Sequence, residues 1–291
     1  MRKAFTLLTA LLMCTTLLLS GCSGGDTAAS SAAPPASEAA PASTPAADVS
    51  STLPQADQEP VEIMLAAAAS LEDSYVNQLI PLFQEQYPWV TVTGTYGSSG
   101  NLQTQIEEGM AADVFMSAAT KQMDALVEGG FIEESSVVDL LENEIVLIAP
   151  ADADTSISSF EQITEAQTIA IGDPESVPAG QYAEEVLTNL GLWDQVQPSL
   201  TLGTDVTQVL NWVAESSADV GIVYATDAAQ MPDQVKILSI APEGSLETPV
   251  IYPVGVLSES AHQEAAALFV EFLQTPEAMD IFIENGFKSN L

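Results

Sequence analysis

Val90-Thr91-Val92-Thr93-Gly94-Thr95-Tyr96-Gly97-Ser98-Ser99-Gly100-Asn101-Leu102-Gln103 decides how this chain is read. The β-branched start predicts a strand, Gly97–Asn101 a polar turn, and Leu102 onward a helix. A turn of Gly, Ser and Asn ahead of a helix offers backbone N–H groups and hydroxyls, the local chemistry of an anion site. The composition pulls the other way. The chain carries 41 Asp and Glu against 5 Lys and Arg, a formal net charge of -36.

The same strand–turn–helix unit recurs along the chain. Val61–Leu65, Val114–Met116, Ile145–Ile148, Ile169–Ile171, Val220–Val223, Val235–Leu238 and Val250–Leu257 read as further strands. Leu71–Tyr87, Leu102–Gly109, Tyr182–Leu190, Val206–Ala214 and Ala261–Leu273 carry a helical period. In the fourth, Val206, Val209, Leu210 and Val213 fall on one face. Strands alternating with helices predict an α/β fold with largely parallel sheets.

The N-terminus is set apart by composition. Arg2 and Lys3 precede an apolar run from Ala4 to Leu19, too short for a comfortable membrane span, and Leu19-Ser20-Gly21-Cys22 follows. That tetrapeptide is similar to the lipobox of bacterial lipoproteins, in which a cysteine carries the lipid. Residues 1–21 are therefore expected to be a signal peptide, and Cys22 the point of lipidation. Cys14 would leave with the signal, so the mature chain would hold no thiol for a disulfide, a thiolate metal site or a nucleophile. Residues 22–60 are rich in Ala, Ser and Pro with no aromatic residue, and read as a flexible linker. Lys121, Lys236 and Lys288 would be the only basic side chains left. So acidic a surface repels nucleic acid and anionic headgroups, and no basic cluster exists to hold a phosphate group.

Several turns could carry chemistry. Ser70 ends the run Ala66–Ser70 with Asp73 three residues on, which reads either as a capping box or as a hydroxyl facing a ligand. Ser98, Ser99 and Gly100 repeat that arrangement one strand later, and open α/β sheets bind ligands at the carboxyl ends of their strands. Gly172–Gly180 is a long turn in which Pro178 starts a helix, and Thr204 or Asp205 caps the one at Val206. Tyr224 follows a buried strand, where a core tyrosine with a satisfied hydroxyl is the ordinary expectation. Enzyme signatures are thin. His262 is the only histidine and reads as a solvent-facing helix residue. Gly97-Ser98-Ser99-Gly100 is one residue short of a nucleophile elbow. Asp152 and Asp154 begin like a calcium loop, but Ile157 and Ile163 stand where its glycine and bidentate Glu belong. Glu107-Glu108, Glu133-Glu134 and Glu184-Glu185 read as solvated faces.

Taken in order, Ala67–Leu71, Gly97–Ser99, Gly109–Ala119, Gly172-Asp173-Pro174-Glu175-Ser176-Val177-Pro178-Ala179-Gly180 and Gly221-Ile222-Val223-Tyr224 resemble the periplasmic molybdate-binding proteins of ABC transporters. The resemblance spans Val61–Phe287. It implies a two-lobed periplasmic-binding-protein fold of type II, each lobe a mixed, largely parallel sheet flanked by helices, with two crossover strands as hinge. Lobe I would comprise residues 61–143 and 249–291, and lobe II residues 144–248. It also implies a monomeric, extracytoplasmic, lipid-anchored binder and not an enzyme. Such a protein takes molybdate or tungstate without a cofactor, touches the membrane only through Cys22, binds no nucleic acid, and serves the permease and ATPase subunits of an importer.

Carried over by position, the ligand contacts fall on Ser70, Ser99, Ala179, Val206 and Tyr224. The serines would give hydroxyl and backbone donors, Ala179 and Val206 backbone N–H, and Tyr224 its hydroxyl. If the oxyanion is counted as its molybdenum, the same five are the metal site. Gly100-Asn101 departs from the more serine-rich turn usual in the family. Donors alone suit molybdate, tungstate and sulfate, whereas phosphate keeps a proton and wants an acceptor such as Asp173 or Asp205. An iron binder or an extracytoplasmic hydrolase relying on His262 are the rival readings.

Overall fold

The computed structural model describes residues 58–291. The predicted signal peptide, Cys22 and nearly all of the linker lie outside the described residues. Among those described, no helix is long and apolar enough to cross a membrane.

The chain begins with β1 (Val61–Ala68), which turns through a 3-10 turn (Ala69–Leu71) into α1 (Glu72–Ser74), a π turn (Tyr75–Leu79) and α2 (Ile80–Gln86). Next come β2 (Val90–Gly97), α3 (Ser99–Glu107), β3 (Val114–Met116), α4 (Thr120–Glu128) and β4 (Val138–Asn143). A second set follows: β5 (Ile145–Pro150), β6 (Ile169–Gly172), α5 (Pro178–Asn189), α6 (Trp193–Val196), β7 (Leu200–Gly203), α7 (Val206–Ala214), β8 (Val220–Tyr224), α8 (Ala225–Gln230) and β9 (Val235–Ile240). The chain then returns to the first set through β10 (Val250–Val256), α9 (Gln263–Leu273), α10 (Pro276–Glu284) and β11 (Lys288–Ser289).

Two sheets result, one per lobe. The first has the order β11-β4-β10-β3-β1-β2 and the second β7-β6-β8-β5-β9. β1 pairs in parallel with β2 and β3, and β6 in parallel with β7 and β8. Helices can start at a shared edge only where strands end together, so these parallel cores aim the starts of α3, α5 and α7 the same way. The sheets lean further toward antiparallel pairing than strand–helix alternation suggests. β10 runs against β3 and β4, and β5 against β8 and β9. These are the strands that enter and leave each lobe. The chain passes from sheet to sheet at Glu144, between β4 and β5, and again between Ile240 and Val250.

Local chemistry accounts for most element boundaries. Pro81 lacks the N–H that a regular helix would use, and the helix before it widens into the π turn at Tyr75–Leu79 instead of running unbroken. Asp205 caps α7 by accepting Gln208 N–H at 2.8 Å, and Thr275 caps α10. The 3-10 turn before α1 has Ala68 in the capping place, so Ser70 is not a cap and its side chain is spent elsewhere. His262 stands ahead of α9, half-buried, and not on a solvent-facing helix turn.

Candidate functional site

Where the two lobes meet lies a small pocket with about 200 Å³ of space not filled by protein atoms, part of it open to solvent. Ser70, Ser99, Ala179, Val206 and Tyr224 all line it, together with Ala68, Ala69, Gly97, Ser98, Ala118, Val177 and Pro178. No Asp, Glu, Lys, Arg or His is in that wall. Ser70 and Ser99 come from the ends of β1 and β2 in one lobe, whereas Ala179, Val206 and Tyr224 come from the other.

Each donor has a local reason for its place. Ala179 is the second residue of α5 and Val206 the first of α7, so intrahelical bonding leaves their N–H groups unpaired. Both helix starts also carry positive dipole ends. The long turn before α5 is held by its glycines. A side chain on Gly180 would run into the backbone of Gly172 and Asp173, and one on Gly172 into Val177. Helix and strand therefore approach at a distance only glycine permits, which brings Ala179 N–H to the cavity.

The hydroxyls are oriented by what they accept. Ser99 Oγ takes the Ala118 N–H at 3.0 Å, so its own proton is left for the cavity. Ser98, by contrast, spends its oxygen as the cap of α3 on Asn101 N–H, 3.4 Å away. Tyr224 donates to the Ala118 carbonyl at 3.3 Å, a long bond for O–H···O and one that a charged acceptor would outcompete. Burial, with Tyr252, Tyr182 and Asp227 adding to it, pushes the Tyr224 hydroxyl well above the usual tyrosine range. It therefore stays a neutral donor.

Three contacts across the lobes close this arrangement. Gly100 N–H donates to Ser176 O at 3.0 Å, Gln122 Nε2 to Gln181 Oε1 at 3.1 Å, and Tyr224 reaches Ala118. Gly100, the departure from the serine-rich turn, sits where a Cβ would strike the Ser176 backbone. Ala118 lines the cavity as well, and residue chemistry alone did not mark it because it has no functional side chain. Its only signal was its place in the turn Gly109–Ala119.

Comparison with known proteins places the chain in a family. Residues 63–288 match the bacterial extracellular solute-binding proteins. The chain belongs to that family. It is of the ModA type within it. The molybdate-binding protein ModA of Haemophilus influenzae is 37% identical, over 78% of this chain and 90% of its own. YvgL of Bacillus subtilis, provisionally described as the substrate-binding lipoprotein of an ABC transporter, is 39% identical over 79% of this chain and 87% of its own. Among solved structures, the substrate-binding domain of a Clostridium difficile transporter provisionally assigned to molybdenum is 40% identical. It superposes with a TM-score of 0.61, covering 78% of this chain and 98% of its own. The two-lobed type II fold follows from these matches and the two sheets.

Proposed function

We propose that this protein captures molybdate, and tungstate with it, in the cavity between its lobes, and hands it to the permease and ATPase of an ABC importer. It does so as a monomer held outside the membrane by lipid on Cys22, with no cofactor and no catalytic step. One observation carries the reading: five donor positions from two lobes converge on a small cavity with an uncharged wall. The names of the relatives support the choice of molybdate.

An anion surrounded by N–H and O–H dipoles needs no counter-charge if each oxygen is satisfied, and hydrogen bonds to charged groups are the strong ones. The chain's net charge acts from farther away, and salt screens it beyond ~8 Å at physiological ionic strength. Local dipoles outweigh distant acids. The absence of a carboxylate from the wall disfavours phosphate, since Asp173 and Asp205 are not among the lining residues. Ferric iron would ask for several anionic oxygens, and Tyr224 is the one ionisable side chain in the wall.

Calorimetry with molybdate, tungstate, sulfate, phosphate and ferric iron tests this. Molybdate and tungstate are expected to bind at micromolar strength or tighter, about 8 kcal/mol or more. Sulfate binding as tightly as molybdate would overturn the ligand assignment.

A further inference from the structure

A hydroxyl in a neutral cradle can present either a proton or a lone pair, and the choice determines which anions fit. Ser70 Oγ lies 3.0 Å from the hydroxyl of Tyr252, a fully buried residue of β10 that does not line the cavity. Taken alone, either oxygen could donate. Asn143, at the end of β4, biases the choice. Its Oδ1 accepts Glu144 N–H at 2.8 Å, which fixes which end of the amide carries the hydrogens. Its Nδ2 then uses both N–H bonds, one to Thr226 Oγ1 at 2.9 Å and one to the Tyr252 hydroxyl at 3.2 Å. The Tyr252 oxygen is an acceptor in that bond, which leaves its single proton available to Ser70 Oγ. A Ser70 Oγ that accepts it keeps its own proton for the cavity.

We propose that Asn143 and Tyr252 are positioning residues that hold the Ser70 hydroxyl as a donor, so that the cradle selects oxyanions without a proton over those that carry one. The inference rests on the anion-binding reading above. Molybdate arrives with four acceptor oxygens. Phosphate at neutral pH brings at least one P–OH, whose hydrogen would face the Ser70 hydrogen. The relay spans the molecule's junction as well. Asn143 and Tyr252 stand on β4 and β10, the strands of the first sheet that meet the crossings, and Thr226 belongs to α8 of the other lobe. The same amide therefore also ties the first lobe to the second.

The test is calorimetry of molybdate and of phosphate, at one neutral pH, on the wild type, Tyr252→Phe and Asn143→Asp. Tyr252→Phe keeps the ring that packs on Tyr224 and Phe287, at centroid distances of 5.5 and 5.3 Å. It frees the Ser70 hydroxyl to turn, so molybdate should weaken about tenfold and phosphate by about threefold or less. Asn143→Asp offers only acceptors, draws the Tyr252 proton toward itself and the Ser70 proton after it. Molybdate should then weaken about a hundredfold, with phosphate falling less. A molybdate-to-phosphate ratio unchanged in both variants, with wild-type molybdate binding intact, overturns the relay alone. A wild type that binds neither anion overturns the anion reading and the relay together.

Discussion

Ser99 is wholly buried and Tyr224 nearly so, yet each keeps a hydroxyl at the cavity, which makes them the sharpest single-residue tests. Ser99→Ala removes a donor and leaves Ala118 N–H without its acceptor, while Tyr224→Phe removes only the hydroxyl. A hydrogen bond to a charged group is worth roughly 1.5–3 kcal/mol, so each substitution should weaken molybdate by about ten- to a hundredfold in calorimetry. Asp227 supplies a different test. It is buried in α8 and accepts Tyr224 N–H at 3.1 Å. Burial raises its carboxyl to about 7, helped by Asp205 and opposed by the Tyr224 N–H bond. With the folded pKa above the ordinary 3.8, the native state holds a proton that the unfolded chain has released. Its contribution is fully present below the unfolded value and is lost as pH rises toward 7, by at most about 1.4 kcal/mol per pH unit. Asp227→Asn keeps an acceptor for Tyr224 N–H and has no proton to lose. Its melting temperature relative to wild type should climb between pH 4 and 7, and parallel curves would show that Asp227 does not titrate there.

At the scale of elements, two glycines near the cavity have opposite jobs. Gly180, in the first turn of α5, packs against Gly172 inside one lobe, whereas Gly100, in the first turn of α3, packs against Ser176 of the other. Gly180→Ala should destabilise the fold itself by about 1–3 kcal/mol, as overpacking does, with a lowered melting temperature. Gly100→Ala adds a better helix former and clashes only when the lobes are together, so the melting temperature should hold while molybdate affinity drops. A Gly100→Ala protein that binds as wild type would remove Gly100 from the closure contact. The same elements show what the sequence could express. α7 was legible residue for residue, because its apolar stripe and Asp205 cap are both local. β4 was not: Val138-Asp139-Leu140-Leu141-Glu142-Asn143 has no alternation, since Leu140 and Leu141 are both buried between two neighbouring strands. β10 accommodates Pro253 through a register shift against β4, another feature that exists only once the partner strand is in place. The five donor positions came from resemblance, and their convergence from the fold. The Asn143–Tyr252–Ser70 chain joins residues more than a hundred apart, and nothing local announces it.

For the whole molecule, the two crossings beside Glu144 and between Ile240 and Val250 suit a two-stranded hinge. The Gly100–Ser176 and Gln122–Gln181 bonds are interlobe contacts that opening would break. Molybdate touching both lobes favours the seated arrangement over an open one, so small-angle scattering should show compaction on saturation. An unchanged radius of gyration would argue against hinge closure.

The charge of the whole chain makes the last test the most general. Were the anion held by opposite charge, the lysines would have to supply it. Lys288 pairs with Glu144 at 2.8 Å, half-exposed, and Lys236 is taken by the Ala153 carbonyl at 2.6 Å. Lys121 is exposed on α4, and none of the three lines the cavity. Lys121→Ala, Lys236→Ala and Lys288→Ala should each leave molybdate affinity within about threefold, since exposed pairs contribute about 0–1 kcal/mol. Salt should matter little for the same reason. Screening acts on charges separated by solvent and only weakly on an ion enclosed by dipoles. If anything, added salt should speed association slightly by masking the acidic surface, while dissociation stays constant. Calorimetry and stopped-flow kinetics from low to high salt read both quantities. A lysine substitution that abolished binding while Tyr224→Phe did nothing would mean a charge-paired site, and the neutral cradle would have to be abandoned.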